Sequence, residues 1–245
     1  MITSKHLIHL AIVHQGQTLK IKNALNHFQE PITLLFQEAI TILDEHYPAS
    51  LKECFQPPFV LFYQGDLSLL NHSSFSIVGS RLPSEYAINI LNKGFSFMNK
   101  DKVIVSGGAK GIDGLAHLNS LKSGMKTICV CAHGLNRVYP KEHHHLFESI
   151  KAHGLMLSEY PLNTPPLPHH FIARNRIVCA LGEKLLVMSG SLKSGTMWSV
   201  NFALEMNKEI VTIPHPIDDS RGELCNHLIE NGASMLTNVS EFATL

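Results

Sequence analysis

Small and charged residues are concentrated in one stretch of the sequence, SGGAKGIDGLAH at residues 106–117. The stretch follows an apolar run that ends at Val105, and the residues from about Gly111 onward have helical spacing. Small residues let a ligand approach the backbone, and the unpaired amides at a helix start attract anions. The spacing matches neither the GxGxxG pattern of dinucleotide sites nor the GxxxxGK(S/T) pattern of P-loops. The residues predicted to bind a phosphate here are Ser106, Gly107, Gly108 and Ala109.

Two other loops with possible chemistry follow predicted strands. In IVGSR, Gly79 permits a tight turn, Ser80 supplies a hydroxyl, and Arg81 can donate two hydrogen bonds to a phosphate. The alternative for this segment is an ordinary turn with a surface arginine. In SGSLKSGTMW, Thr196 follows Gly195 where a P-loop has lysine, so this segment does not predict magnesium–nucleotide chemistry.

The densest group of polar residues lies in SEYPLNTPPLPHHFIARNRIVCALG, residues 158–182, where a proline-stiffened loop leads into a helix. The helix carries Arg174, Asn175 and Arg176. Neighbouring helical residues point about 100° apart, so one arginine is predicted to bind a phosphate while another holds a neighbouring loop. Phe171 lies one turn earlier, and it either stacks on a nucleobase or belongs to the core.

A further loop, GLNRVYPKEHHHLF at residues 134–147, adds Arg137 and Lys141 to the same edge of the predicted sheet. Its three consecutive histidines, residues 143–145, point in different directions on a helix and cannot ligate one metal ion. These histidines are predicted to be solvated, and no metal site is predicted.

The composition excludes several functional classes. Among 245 residues, 20 lysines and arginines balance 20 aspartates and glutamates, so no overall basic field marks a nucleic-acid partner and an anion site must be local. The five cysteines are odd in number and lack paired metal spacing, which favours buried thiols in a reducing compartment. No segment approaches the roughly 20 apolar residues of a membrane span. A cytoplasmic protein with no membrane contact is predicted.

Short apolar segments alternate with helical stretches from residue 75 onward, which favours a parallel sheet covered on both faces. The predicted fold is α/β, with a doubly wound, mostly parallel, Rossmann-like sheet whose ligands bind at the carboxyl ends of the strands. Residues 57–66 are predicted to lead into the sheet. Before them, helical patches cover residues 7–14 and 24–43. The predicted strands span residues 75–79, 103–107, 127–132, 155–160, 185–190 and 209–213.

Taken together, these motifs resemble the DNA-processing protein A (DprA/Smf) family of bacteria. The resemblance covers roughly residues 47–233 and also includes HYPASL at residues 46–51 and GELCNHLIENGA near the end of the chain. It implies an extended Rossmann-like DNA-binding domain over residues 47–245, preceded by a short helical region over residues 1–46. The C-terminal winged-helix domain that many members carry is not expected here.

The resemblance implies a protein without a catalytic step, metal or cofactor. Such a protein binds single-stranded DNA, forms a homodimer, and delivers the strand to the recombinase RecA in natural transformation. Lys141 would be a further DNA contact, and Phe171 completes the predicted binding set. The positions that the resemblance assigns to the phosphate pocket are Gly79, Ser80, Arg81, Ser106, Gly107, Gly108, Ala109, Arg174 and Asn175.

Three positions depart from the family pattern: Ile172 replaces a proline, His143 an asparagine, and His215 a glycine. Two other functions stay open. A nucleoside-monophosphate phosphoribohydrolase resembles the chain at Gly195 and Thr196, but residues 197–199 lack the acidic side chains that such an enzyme uses. A nucleotide-sensing scaffold would leave the arginine segment unexplained.

Overall fold

The computed structural model describes residues 2–26 and 37–245, and the strands of this part form one nine-stranded sheet. The strands are β1 (Ala39–Thr41), β2 (Val60–Gly65), β3 (Ser74–Val78), β4 (Val103–Ser106), β5 (Thr127–Cys131), β6 (Leu155–Ser158), β7 (Lys184–Val187), β8 (Glu209–Thr212) and β9 (Ser234–Met235). The helices are α1 (Ser4–Val13), α2 (Thr18–Leu25), α3 (Ala49–Lys52), α4 (Glu85–Gly94), α5 (Ile112–Lys122), α6 (His144–His153), α7 (Pro168–Leu181), α8 (Gly195–Glu205) and α9 (Glu223–Glu230).

The sheet has the strand order β1-β2-β6-β5-β4-β3-β7-β8-β9. The strands from β3 to β9 run parallel to their neighbours, whereas β2 pairs antiparallel with both β6 and β1. The six predicted strands are confirmed as β3 to β8, and the Rossmann-like, doubly wound fold is confirmed with them. The order reverses at β3, because the chain moves from β3 toward β6 and then returns to place β7 on the other side.

Both faces of the sheet are buried, as continuous apolar strands require. In β4, Val103 and Val105 point into a core cluster shared with α7, α8 and α9, whereas Ile104 points into a cluster on the opposite face shared with α4 and α5. A third cluster lies beside the second and includes Leu10 of α1 and Phe62 of β2. Helices therefore cover the sheet from both sides.

The N-terminal segment differs from its prediction. The helical patch predicted over residues 24–43 is wrong at its end, because Ala39–Thr41 forms β1 and pairs with Val60–Phe62 of β2. The ladder hydrogen bonds and the burial of Ile40 stabilise a strand here. The predicted boundary at residues 46/47 falls between this edge strand and the rest of the sheet. Residues 27–36 of the predicted patch lie outside the described residues.

The predicted helical patch at residues 7–14 corresponds to α1. Leu7, Leu10 and Ile21 of α1 and α2 are buried against the sheet, so the two helices share the core of the α/β fold. No helix in the described part of the chain is both long and apolar enough to span a lipid bilayer.

The carboxyl ends of β3, β4 and β7 meet where the strand order reverses, and this is where ligands bind in open α/β sheets. Each of these strands is followed by a loop that enters a helix: α4, α5 or α8. Ser84 caps the start of α4, because its hydroxyl accepts a hydrogen bond from the Ala87 amide at 3.3 Å. α7 begins with Pro168, whose fixed φ suits the first helical position. The fold thus brings three loops and the start of α7 to one edge.

Candidate nucleic-acid interface

An open pocket of about 660 Å³ lies at this edge of the sheet. Its walls come from the loops after β3, β4 and β7 and from the N-terminal half of α7. Of the eleven predicted binding residues, Ser106, Gly108 and Lys141 do not line the pocket. The predicted residues that do line it are Gly79, Ser80, Arg81, Gly107, Ala109, Phe171, Arg174 and Asn175.

The loop after β3 presents the most accessible cation of the pocket. The Ser80 amide donates to Ser189 Oγ at 3.1 Å, and the Ser80 carbonyl accepts the Ile112 amide at 3.2 Å, so the loop is fixed on both sides. Arg81 is exposed, and its guanidinium carbon lies 5.3 Å from the centre of the Phe171 ring. Within the described residues Arg81 forms no salt bridge, which leaves its donors available to an anion.

The glycine-rich loop after β4 is only partly available to a ligand. The buried Ser106 hydroxyl donates to the Ile77 carbonyl at 2.7 Å and is not directed into the pocket. The Ala109 amide points at Asp113 Oδ2, 3.4 Å away. Burial raises the pKa of Asp113, and the nearby Arg174 guanidinium and Ala109 amide oppose that rise. The Ala109 amide, one of the donors predicted to bind a phosphate, is therefore directed at a carboxyl group of the protein itself.

Arg174, which was predicted to bind a phosphate, lines the pocket and also holds a loop of the protein itself. Its side chain lies under the glycine-rich loop with only 4% of the residue exposed. Nη1 donates to the Gly107 and Val130 carbonyls, the latter at 2.6 Å, and Nε donates to Asn175 Oδ1 at 3.2 Å. Arg174 holds the loop in place and brings positive charge beneath the pocket, but these donors are already engaged.

Arg176 holds a neighbouring loop, which is the role that the sequence predicted for one of the two arginines without saying which. It forms an ion pair with Glu159 at 2.7 Å, and each side chain is only 5% exposed. Its Nε donates to the Gln56 carbonyl at 2.9 Å. Glu159 Oε1 also accepts the Thr18 hydroxyl at 2.7 Å, which ties α2 to the carboxyl end of β6. The coulombic attraction to Glu159 raises the pKa of Arg176, although burial acts in the opposite direction.

Phe171 is half-buried rather than part of the core, and it stands at the wall of the pocket. Its ring packs edge-to-face against Tyr139 at 5.5 Å between centroids. Asn175 Nδ2 lies 3.4 Å from the Gly195 carbonyl and links α7 to the start of α8. Lys141 is exposed on a short 3₁₀ turn outside the pocket wall.

Two of the positions that depart from the family pattern hold loops in place. His143 is half-buried, and its Nδ1 lies 3.0 Å from the Gly108 carbonyl, which accepts a hydrogen bond from it. His215 is buried, and its Nε2 lies 3.0 Å from the Met188 carbonyl. The remaining histidines of the run, residues 144 and 145, are exposed as predicted.

Sequence reasoning missed several residues of the wall. Thr196 and Trp198 of α8 both line the pocket, but neither was among the residues predicted to bind DNA. Leu82 and Ile172 add exposed apolar side chains. The position of Trp198 at the start of a helix after a strand was a signal that could have identified it.

The described part of the chain contains no group of side chains arranged as a metal site. Among the residues that the structure describes, no three histidine, cysteine or acidic side chains are arranged to hold a metal ion. All five cysteines are unpaired and buried, and burial raises the pKa of the Cys225 thiol to about 11.

Comparisons with known proteins bear on this site. The family model of DNA recombination-mediator protein A matches residues 38–245. The DNA processing protein DprA of Streptococcus pneumoniae is 38% identical over 200 residues, which cover 82% of this chain and 71% of that protein. The DprA of Bacillus subtilis is 37% identical over 206 residues, covering 82% and 69% of the two chains.

Two solved structures are similar over most of their length. The S. pneumoniae DprA structure superimposes with a TM-score of 0.85, 31% identity, and coverage of 98% of this chain and 96% of that one. The Helicobacter pylori DNA processing protein A, whose structure concerns a single-stranded DNA binding mode, gives a TM-score of 0.75, 31% identity, and coverage of 84% and 94%. The family match over residues 38–245, supported by these relatives, shows that the chain belongs to the DNA recombination-mediator protein A (DprA/Smf) family.

Proposed function

We propose that this protein binds single-stranded DNA at the pocket between β3, β4 and β7 and leaves the DNA chemically unchanged. The observation that carries the proposal is the exposed Arg81 guanidinium stacked on Phe171 at the pocket wall. A phosphate can bind the arginine while a base stacks on nearby aromatic rings, which is how proteins hold single strands without reading sequence. The H. pylori relative, with its single-stranded DNA binding mode, supports the proposal.

The phosphate contact proposed here differs from the one that the sequence predicted. The sequence predicted that backbone amides at residues 106–109 bind phosphates, but the Ala109 amide faces Asp113. We therefore assign the principal phosphate contact to Arg81. Arg174 lies beneath the loop after β4, which it holds in place, and its positive charge adds to the attraction of the pocket for a phosphate.

The pocket offers little for catalysis on a ribose. Asp113 is the one acidic side chain among its described lining residues, and no histidine lines it. The Asp113 carboxyl is engaged with the Ala109 amide, and no second carboxyl stands beside it in the pocket wall. General acid–base catalysis needs a placed proton donor and acceptor. Incubation with AMP, followed by chromatography for free adenine, tests the phosphoribohydrolase alternative, and release of adenine would support it.

Replacement of Arg81 tests the site. Arg81→Glu should weaken binding to fluorescein-labelled oligo-dT at least about tenfold, because it removes a phosphate contact and adds repulsion. The slope of log affinity against log salt concentration should also become shallower by about 0.7, the contribution of one phosphate contact on a single strand. Fluorescence anisotropy at several salt concentrations measures both effects.

Lys100→Glu is the matched control, because it makes the same charge change at an exposed position that precedes β4, at the opposite edge of the sheet. It should bind oligo-dT nearly as tightly as the parent. Equal losses in the two variants would show that only net charge matters and that the pocket is not the site.

The family relationship extends the proposal to a cytoplasmic homodimer that transfers the bound strand to RecA during natural transformation. Residues 224–245 contain more apolar residues than a terminal helix packed on one side requires, but most of these side chains are buried in the chain's own core. Met235 on the edge strand β9 stays exposed. Light scattering should give twice the mass of one chain.

RecA filament formation on DNA coated by a single-strand-binding protein should accelerate when the protein is added, and no acceleration would refute the RecA proposal.

A further inference from the structure

The only tryptophan of the sequence, Trp198, lies in the first turn of α8 and lines the pocket. Its neighbours Thr196 and Ser199 are buried, but 47% of Trp198 remains exposed. The core-facing positions of this helix are occupied by Val200 and Ala203. The indole is therefore a large apolar surface that the protein's own packing does not cover.

The surroundings of Trp198 determine what kind of molecule can cover it. The same pocket contains the Arg81 guanidinium carbon and the Phe171 ring centre, 5.3 Å apart, and the half-buried Ser194, whose hydroxyl donates to the Ser191 carbonyl. A purely apolar partner would bury the arginine without a counter-charge, which costs free energy. A single strand of DNA offers phosphates for the guanidinium and flat, unpaired bases for the rings.

We propose that Trp198 stacks on a nucleobase of the bound strand, as an aromatic contact separate from Phe171. α7 carries Phe171 and α8 carries Trp198, and the two helices are joined at the pocket by the contact between Asn175 and Gly195. The pocket wall therefore holds aromatic rings on two helices, Phe171 on α7 and Trp198 on α8, with Tyr139 packed against Phe171, and this arrangement suits two bases of one strand. The inference rests on the proposed function.

The parent protein tests the inference directly, because its tryptophan fluorescence comes from Trp198 alone. Two oligomers of equal length are titrated: oligo-dT and an abasic deoxyribose-phosphate oligomer with the same phosphates. Labelled versions report binding by anisotropy, while unlabelled versions report on the indole. Oligo-dT should quench the emission at saturation, whereas the abasic oligomer should bind more weakly and leave the emission unchanged.

Variants separate stacking from a general effect of the pocket. Trp198→Ala should weaken oligo-dT binding about tenfold and abasic binding hardly at all, since one stacked base is lost. Trp198→Phe keeps an aromatic face and should retain most of the affinity. Leu204→Ala, at an exposed position in the last turn of the same helix, is the control and should bind like the parent.

Each outcome decides something. If oligo-dT binds without changing the emission and Trp198→Ala binds as tightly as the parent, the inference is overturned while the proposed function stands. Equal quenching by both oligomers would also overturn it, because the indole would then report on the backbone or on a rearrangement. If neither oligomer binds, the proposed function fails and the inference fails with it.

Discussion

At the scale of single residues, buried polar side chains do most of the positioning. Arg174 and Arg176 are close in sequence but have different partners, because Arg174 holds the loop after β4 and Arg176 pairs with Glu159. The residue left to meet a ligand is Arg81, which is exposed. Positive charge in this pocket is thus divided between structural and binding roles.

His117 gives a prediction at the same scale. It is fully buried in α5, with Nδ1 2.7 Å from Thr127 Oγ1, and its Nε2 has no hydrogen-bond partner in the described part of the chain. Burial, helped by His143 and Arg174, lowers the pKa of His117 to about 3. In the unfolded chain the pKa of histidine is about 6.5.

Because the folded pKa lies below the unfolded one, only the unfolded chain takes up this proton as the pH falls below about 6.5. The stabilisation is complete above that pH and is lost as the solution is acidified. Between about pH 7 and about pH 5, His117 should lower the free energy of unfolding by about 2 kcal/mol. Urea denaturation at the two pH values measures the loss.

His117→Gln cannot take up the proton and should lose about 2 kcal/mol less than the parent over this interval. His145→Gln, which changes an exposed histidine, should behave like the parent. Identical pH dependence in the parent and His117→Gln would contradict the assignment to His117.

At the scale of elements, the loops after β3 and β4, which both line the pocket, are fixed to each other at the start of α5. Gly111 precedes α5 with φ of 75° and ψ of −129°, a conformation that residues with a side chain rarely adopt. A Cβ at this position would collide with the Ser80 carbonyl, which accepts the Ile112 amide. The loop after β3 can approach α5 only because residue 111 is glycine.

Gly111→Ala should therefore destabilise the protein and also weaken oligo-dT binding, because the Ser80–Arg81 loop must move. Gly124→Ala is the matched control: φ is 73° at this position, but its Cβ would meet no atom within 4 Å. The control should lose about 1–2 kcal/mol from backbone strain alone and bind normally. The expected difference is measured by urea denaturation and anisotropy, and normal binding by Gly111→Ala would count against this coupling of the loops.

The elements also show what the sequence could predict. Apolar strands such as residues 103–107 and 127–132 were predictable, because burial on both faces leaves a continuous apolar run. The strand at Ala39–Thr41 was not, because it is short and at the sheet edge, where pairing with β2 decides its conformation. The hydrogen-bond partners of the Arg174 side chain were equally unpredictable, since a helical sequence does not reveal which carbonyl oxygens will lie within its reach.

At the scale of the whole molecule, the ion pair between Glu159 and Arg176 joins parts that are distant in sequence. Glu159 follows β6, Arg176 belongs to α7, and Thr18 of α2 donates to the same carboxylate. The N-terminal helices are therefore attached to the α/β fold by a buried charge as well as by apolar packing.

Glu159→Gln removes the counter-charge of a buried guanidinium and should lower the free energy of unfolding by about 3–5 kcal/mol. Glu148→Gln is the control: it removes the charge of an exposed carboxylate that pairs with the half-buried Lys151 and should cost less than about 1 kcal/mol. Thermal and urea denaturation compare the two. Similar losses in both variants would show that burial adds nothing to this pair.

The loops that line the pocket are held together mainly by hydrogen bonds to main-chain carbonyl oxygens. The Ile112 amide donates to the Ser80 carbonyl, and Arg174 donates to the Gly107 and Val130 carbonyls. Carbonyl oxygens are the same whichever amino acid supplies them, so this frame tolerates exchange of the side chains that project from it. A library of variants randomised at Arg81, Leu82 and Trp198 would change the ligand-binding side chains of the pocket while the backbone that carries them stays the same. The architecture is thus suited to evolving new ligand preferences without refolding.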